Sequence, residues 1–313
     1  MEFRFNWNIK GHDKVIKSLE HDIESGNVAH AYLFAGPAGI GKYSIAKKFA
    51  YILQCPEGFC GNCPTCREIE KGCHADTLEM HDDDESLKIE PIREIIDKLN
   101  LTKIANYKVL ILENIERITP EAVNALLKTL EDPPPGVIFL LTSANIKDVL
   151  PTVISRVRTL NLGRLADSEV EAVIRDRFPL AETEAVENTV LYAKGRPGEA
   201  MKMMENPALL EGVKKFFEEV GALLDKGDLS ERFLFTEALA AKAKDEEDDS
   251  FIYDFLDAVE SEARKRMIEA GNANMLSNAD KYVKLLQKTQ DARRLLRNNI
   301  NKRMLLDNLM LTI

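Results

Sequence analysis

Ala31-Tyr32-Leu33-Phe34-Ala35-Gly36-Pro37-Ala38-Gly39-Ile40-Gly41-Lys42 is an apolar run that passes directly into a glycine-rich loop ending on lysine. A helical pattern follows, from Lys42 to about Leu53. Strand, glycine loop and helix in that order are what a phosphate-binding loop needs. Glycines let backbone N–H groups turn toward one point, the helix N-terminus adds positive potential, and the lysine reaches the outer phosphates. The alternative is a plain glycine-rich turn, which this flanking context disfavours. Outward from the loop, Lys108-Val109-Leu110-Ile111-Leu112 and Val137-Ile138-Phe139-Leu140-Leu141 are apolar on both faces. Continuous apolar strands separated by helices predict a parallel α/β sheet covered on both sides.

The loop departs from a working ATPase at its next position. A Ser or Thr after the lysine would hold Mg²⁺, and here the residue is Tyr43. Ser44 follows, but one residue along a helix is a rotation of roughly 100°. The acidic strand departs too. It ends Leu112-Glu113-Asn114, where a hydrolysing site carries one acid for the metal and one to activate water. Glu113 can reach toward a metal. The Asn114 amide cannot take a proton, and losing a general base costs about 10² to 10⁴ in rate. Nucleotide and Mg²⁺ binding at Gly36, Gly39, Gly41 and Lys42 stays open, and efficient hydrolysis is not expected.

Cys55, Cys60, Cys63 and Cys66 fall within twelve residues, with Pro56, Gly58, Gly61 and Pro64 between them to allow tight turns. Four thiolates on short turns suit a closed, structural Zn²⁺ site. A redox cluster or reduced core thiols are the alternatives, and the polar surroundings argue against the second. Cys73 and His74 are read as ordinary loop residues, although His74 could replace a ligand.

The chain has 313 residues, of which 45% are hydrophobic, 30% charged and 7% aromatic, with a net charge of -10. This composition excludes wholesale disorder and a free-standing coat for duplex DNA, which needs basic surface. No run is long and apolar enough to span a membrane, and residues 1–4 lack the apolar core of a signal peptide. With five cysteines, an odd number, the expectation is a cytoplasmic chain with reduced thiols.

Strand signals stop after about Leu165. The expected organisation is an α/β domain over residues 1–165 carrying the cysteine module (55–66), a three-helix domain over 166–205, and an all-helical domain over 206–313. The charged stretch Asp245-Glu246-Glu247-Asp248-Asp249 reads as a solvated loop. Residues 281–313 carry eight basic and two acidic side chains on an amphipathic helical pattern, which suits an acidic partner or a phosphate backbone.

The order of motifs resembles a family. His30-Ala31-Tyr32-Leu33-Phe34 leads into the loop, and the four cysteines follow. Then come Lys88-Ile89-Glu90-Pro91-Ile92-Arg93-Glu94, the degenerate acidic strand, and Asn124-Ala125-Leu126-Leu127-Lys128-Thr129-Leu130-Glu131-Asp132-Pro133-Pro134. Pro151-Thr152-Val153-Ile154-Ser155-Arg156-Val157 closes the series. This resembles the AAA+ subunits of the bacterial DNA polymerase III clamp loader, most closely delta-prime, over roughly residues 10–200. The resemblance implies an AAA+ P-loop domain, a helical lid and a helical collar that joins subunits. It makes Thr142 and Ser143 a γ-phosphate sensor, and Ser155-Arg156 an arginine finger acting in trans on a neighbour's ATP. It places the family's second sensor arginine at Gly198; the arginine here is Arg196, before Pro197. The implied role is a non-hydrolysing stator in a hetero-oligomeric ring with gamma/tau motor and delta subunits, serving the sliding clamp on primed DNA. The rivals are a hydrolysing gamma/tau-like motor subunit and a zinc-bearing AAA+-like adaptor outside replication.

Overall fold

In the computed structural model the described residues are 4–82, 89–245, 250–272, 276–296 and 300–312. The chain divides into two compact units, 1–206 and 207–313. Lys88, Arg297 and most of the acidic stretch 245–249 lie outside the described residues.

The first unit opens with α1 (Asp13–Glu24), β1 (Ala31–Ala35), α2 (Lys42–Gln54), α3 (Pro64–Glu70), β2 (Thr77–Met80) and α4 (Ile89–Leu99). It continues with β3 (Lys108–Leu112), α5 (Pro120–Glu131), β4 (Val137–Ser143), α6 (Pro151–Ile154) and β5 (Arg158–Asn161). All strand pairings are parallel, in the order β2-β3-β4-β1-β5. Every residue of β1, β3 and β4 is buried. Alternate side chains feed two cores, as the two-residue strand period demands. Tyr32, Phe34, Val109 and Ile111 pack with Ile45 and Phe49 of α2 on one face. Leu33, Leu110, Phe139 and Leu141 pack with Ile92 of α4 and Leu126 of α5 on the other. The predicted covered parallel sheet is the one observed. After β1 the chain crosses to β2 on one side, and it ends at β5 on the other. The carboxyl end of β1 is therefore a switch point, where α/β sheets place ligands.

Gly36 follows β1 at that point because nothing larger fits. A Cβ there would lie 2.3 Å from the Leu162 carbonyl oxygen, on the backbone that continues β5. Leu162 N–H is itself bonded to the Ala35 carbonyl at 2.8 Å, so the neighbour cannot easily yield. Gly36→Ala is expected to destabilise the unit by about 1–3 kcal/mol through overpacking. An unchanged midpoint in urea unfolding would refute that reading.

Three further helices, α7 (Asp167–Arg177), α8 (Thr183–Ala193) and α9 (Pro197–Glu205), gather around Leu165, Val170, Ile174, Val186 and Ala200. The second unit comprises α10 (Pro207–Lys226), α11 (Leu229–Asp245), α12 (Ser250–Asn272), α13 (Leu276–Leu295) and α14 (Lys302–Met310). Its core holds Val220, Ile252, Phe255, Val259, Leu285 and Leu306. Arg266 ties α12 to α10 through Asp225 and the Gly221 carbonyl. The basic segment is partly consumed inside this unit, because Arg293 pairs with Asp257 and Arg303 with Glu237. Among the described residues no helix is long and apolar enough to cross a membrane.

Candidate nucleotide site and metal centre

The loop after β1 has the backbone of an anion cradle. Gly39 (φ 72°) and Gly41 (φ 98°) are left-handed, a conformation that favours glycine, and Gly41 caps the N-terminus of α2. Lys42 is 8% exposed, and its ammonium donates to the Gly36 and Pro37 carbonyls at 2.8 and 3.0 Å. Burial pushes its pKa below the usual lysine range, against the pull of Glu116 and Glu113. His12 Nε2 lies 3.0 Å from the Ile40 carbonyl and braces the loop from the N-terminal segment.

Beyond Tyr43 charged side chains face one another, while Glu79 Oε1, Asp82 Oδ1 and Glu116 Oε2 are buried without a hydrogen-bond partner. The Tyr43 hydroxyl donates to Glu79 at the end of β2, and Lys47 Nζ meets the same carboxylate at 3.0 Å. Burial, then Glu79, raises the Tyr43 pKa well above the usual phenol range. His81 Nδ1 lies 3.2 Å from Glu113 Oε2, and its Nε2 lies 3.6 Å from Glu79. Asn114 is left-handed (φ 47°) and its amide donates to Asp82 at 2.9 Å; Arg117 meets that carboxylate at 2.7 Å. Thr142 sits at the end of β4, 2% exposed, and its hydroxyl accepts the Asn114 N–H at 3.0 Å. The Ser143 hydroxyl donates to the Asn145 carbonyl. Both proposed sensor hydroxyls therefore have protein partners. Glu79, His81, Asp82 and Lys47 were not singled out in the sequence. The one local signal was the two-residue spacing of Glu79 and His81 at a strand end.

Helix α9 meets the loop directly. Gly198 N–H donates to the Gly39 carbonyl at 2.7 Å, and a Cβ at Gly198 would lie 2.8 Å from that oxygen. Ser44 lines a cleft beside the loop, together with His12, Ile40, Gly41, Pro197 and Met201.

Arg156 lies just beyond α6. Its guanidinium pairs with Glu131 at the end of α5 and donates to the Thr152 carbonyl (2.7 Å) and the Ser155 hydroxyl (3.0 Å). Both partners of the ion pair are solvent-accessible, at 32% and 54%.

The thiols of Cys55, Cys60, Cys63 and Cys66 converge, all within 4.8 Å of one another. Backbone N–H groups of Cys60, Cys63 and Cys66 donate to the preceding cluster sulfurs at 3.3–3.4 Å. Gly58, Phe59 and Gly61 are left-handed, which coils the loop around the sulfurs. Burial pushes the Cys55 thiol up, but surrounding donors outweigh it and bring it to about 7. Burial pushes Cys66 up to about 12. The donor set can hold a metal ion. Cys73 is exposed and outside the cluster, and His74 Nδ1 is engaged by the Thr77 hydroxyl at 2.9 Å.

Comparison with known proteins places this geometry. The family described as "DNA polymerase III, delta subunit" matches residues 11–166, about half the chain. The tau subunit of DNA polymerase III from Escherichia coli K12 is 29% identical over 241 residues, 74% of this chain and 37% of that one. The delta' subunit from Pseudomonas aeruginosa is 32% identical over 205 residues, 61% of this chain and 62% of that one. The chain belongs to the AAA+ clamp-loader family of DNA polymerase III. It spans little more than a third of the tau subunit's length. Among solved structures, the Thermotoga maritima RuvB Holliday junction branch migration motor is similar in fold. That match has a TM-score of 0.47 and 20% identity, covering 68% of this chain and 67% of that one.

Within this clamp-loader family member the loop is followed by Tyr43 and the acidic strand by Asn114. At position 198 the glycine lies against Gly39 with no room for a side chain, and the Arg196 Nε donates to the Ala193 carbonyl at 3.2 Å. Glu113, Asn114 and Thr142 gather beside Lys42's loop, while Ser155 and Arg156 form a separate surface group with Glu131.

Proposed function

We propose that this chain is a delta-prime-like subunit of the DNA polymerase III clamp loader, a stator that does not hydrolyse ATP and supplies Arg156 to a neighbouring ATPase subunit. Its partners are motor (gamma/tau) and delta subunits in a hetero-oligomeric ring that loads the sliding clamp on primed DNA in the cytoplasm. Residues 1–165 form the AAA+ domain, 166–205 the lid and 206–313 the collar. The observation that carries the reading is the Tyr43–Glu79 hydrogen bond. The hydroxyl at the magnesium position is committed to a protein carboxylate, and Asn114 supplies an amide where a base is required. In a motor reading, Ser44 and Glu113 would stand in for the missing groups. Glu113 is engaged by His81, and Ser44 stands one helical residue, roughly 100°, from the magnesium position, so neither favours it.

The four cysteines suit a structural zinc. A tetrahedral ion with Zn–S near ~2.3 Å has sulfur–sulfur edges of roughly 3.8 Å. Cys55 lies 3.8 Å from both Cys60 and Cys63.

The decisive test is steady-state ATP turnover by the purified chain, without and with the other loader subunits. The chain alone is expected to be silent, and turnover is expected only in the assembled ring. ATP hydrolysis by the isolated chain that disappears with Lys42→Ala would make it a motor instead.

A further inference from the structure

Residues 5–12 belong to no helix or strand, yet they are fixed along their length. Phe5 lies over Gly58, where an added Cβ would run into its ring. Gly58 is left-handed and stands between Cys55 and Cys60, so its backbone is placed by the sulfurs on either side. The Phe5 N–H and the Trp7 Nε1–H donate to one oxygen of Glu20, both at 3.1 Å. Trp7 is 1% exposed and stacks on Phe49 of α2 with ring centroids 6.2 Å apart. Further along, Lys10 Nζ donates to Asp176 at 2.8 Å and to the Ala172 carbonyl at 3.2 Å, both on α7. Gly11 closes the run against Leu165, whose Cδ2 would lie 2.6 Å from a Cβ there.

These contacts form a series. Phe5 covers the loop between two cysteines, Trp7 anchors in the core against α2, and Lys10 holds α7. Asn8 and Lys10 of the segment and Val173 and Asp176 of α7 line the cleft beside the glycine loop. The links differ in strength. Trp7 is buried, whereas Phe5 is half-buried and the Lys10–Asp176 pair is open to solvent. An exposed ion pair is worth little, so the two ends are the parts that can let go. The Phe5 end is tied to Trp7 twice, through the shared Glu20 oxygen and through the Trp7 N–H, which donates to the Phe5 carbonyl at 2.9 Å.

We infer that residues 5–12 are a strap through which the metal state of the cysteine module reaches α7. With the ion bound, the Cys55–Cys60 loop is fixed and Phe5 is seated on Gly58. Without it, Phe5 is released, and Trp7 and Lys10 loosen in turn. This rests on the reading of the cluster as a zinc site and adds what that site controls. The coupling is reciprocal: if zinc tightens the strap, the strap tightens zinc by the same factor.

Trp7 is the sole tryptophan, so its fluorescence reads the strap directly. The experiment follows the full chain loaded with zinc, stripped by a chelator, and reloaded. Zinc loss is expected to shift Trp7 emission to the red, to expose it to acrylamide quenching and to raise hydrogen exchange in α7. Reloading should reverse all three. Phe5→Ala, loaded with zinc, should show the same red shift. In competition with a colorimetric chelator it should bind zinc about fivefold or more weakly, the lower end of couplings between linked sites. Phe5→Leu keeps an apolar cover and should restore most of both. Lys10→Ala should raise exchange in α7 with zinc bound and leave Trp7 emission unchanged. Native protein whose Trp7 emission does not move on zinc removal, or a folded Phe5→Ala variant that binds zinc as tightly as native, overturns the strap and leaves the zinc reading standing. A native chain that takes up no zinc by elemental analysis overturns both.

Discussion

Arg156→Ala is expected to cut ATP turnover at the neighbouring subunit's site in the assembled loader by about 10³-fold or more, while the isolated chain stays folded. The magnitudes make the argument. In the free chain the Arg156 guanidinium is held by Glu131, with both side chains open to solvent. An exposed pair of this kind is worth about 0–1 kcal/mol. An arginine finger that stabilises charge on a transferring phosphoryl group contributes about 10³ to 10⁵ in rate, or roughly 4–7 kcal/mol. If Arg156 acts in trans as proposed, the exposed Glu131 contact is weak enough to be given up when a neighbour's phosphoryl group is offered. Arg156→Lys should rescue only a small part of the loss, because an ammonium lacks the planar fork of donors that spans two phosphoryl oxygens. Glu131→Gln removes the competing charge and should leave loader turnover at least as high as native. Full turnover with Arg156→Ala, in a ring shown to be intact by gel filtration, would remove the trans role from this chain.

The parts of the molecule that were legible in the sequence are those set by local chemistry. Strands β1, β3 and β4 are apolar on both faces, and their residues are buried without exception. The loop and the cysteine cluster are short-range spacings. Strands β2 and β5 were not read, because each is only four residues long and mostly half-buried or exposed, with Glu79 in one and Arg158 in the other. The departures at Tyr43 and Asn114 were visible, but their partners were not. Glu79 is 36 residues from Tyr43, and Asp82 is 32 from Asn114, so only the fold brings them together. Thr142 illustrates a different limit. The resemblance implied a phosphate sensor there, and only the fold shows that the left-handed turn at Asn114 aims a backbone N–H at its hydroxyl. At Gly198 the resemblance placed an arginine, whereas only the fold shows the Gly39 carbonyl 2.8 Å from where a Cβ would stand.

If the cysteine cluster holds the zinc proposed above, removing it should lower the stability of the 1–206 unit by several kcal/mol and should act first on residues 55–72. Structural zinc contributes about 10–16 kcal/mol of apparent binding energy in small peptides that are unfolded without it. Here part of the module is held by other means, so the loss should be smaller. Phe59 stacks on Tyr51 with ring centroids 4.9 Å apart, Lys48 lies over the Phe59 ring at 4.1 Å, and Phe5 covers Gly58. An aromatic pair of this kind adds about 0.5–1.5 kcal/mol beyond the area it buries. That cannot by itself hold a loop with three left-handed residues around four converging sulfurs. A bound cation would also let Cys66 ionise at neutral pH, because burial pushes its thiol up to about 12. Chelation, or Cys60→Ser, is expected to remove one zinc per chain and to lower Tm by about 2–4 °C for each kcal/mol lost. Hydrogen exchange should rise in the loop and α3 before it rises in β1, β3 and β4, because the sheet's two cores are built mainly from residues outside the module, with Phe59 packing at the edge of one. A native chain that contains no zinc by elemental analysis, or a Tm unmoved by its removal, would return the cluster to the status of four reduced thiols.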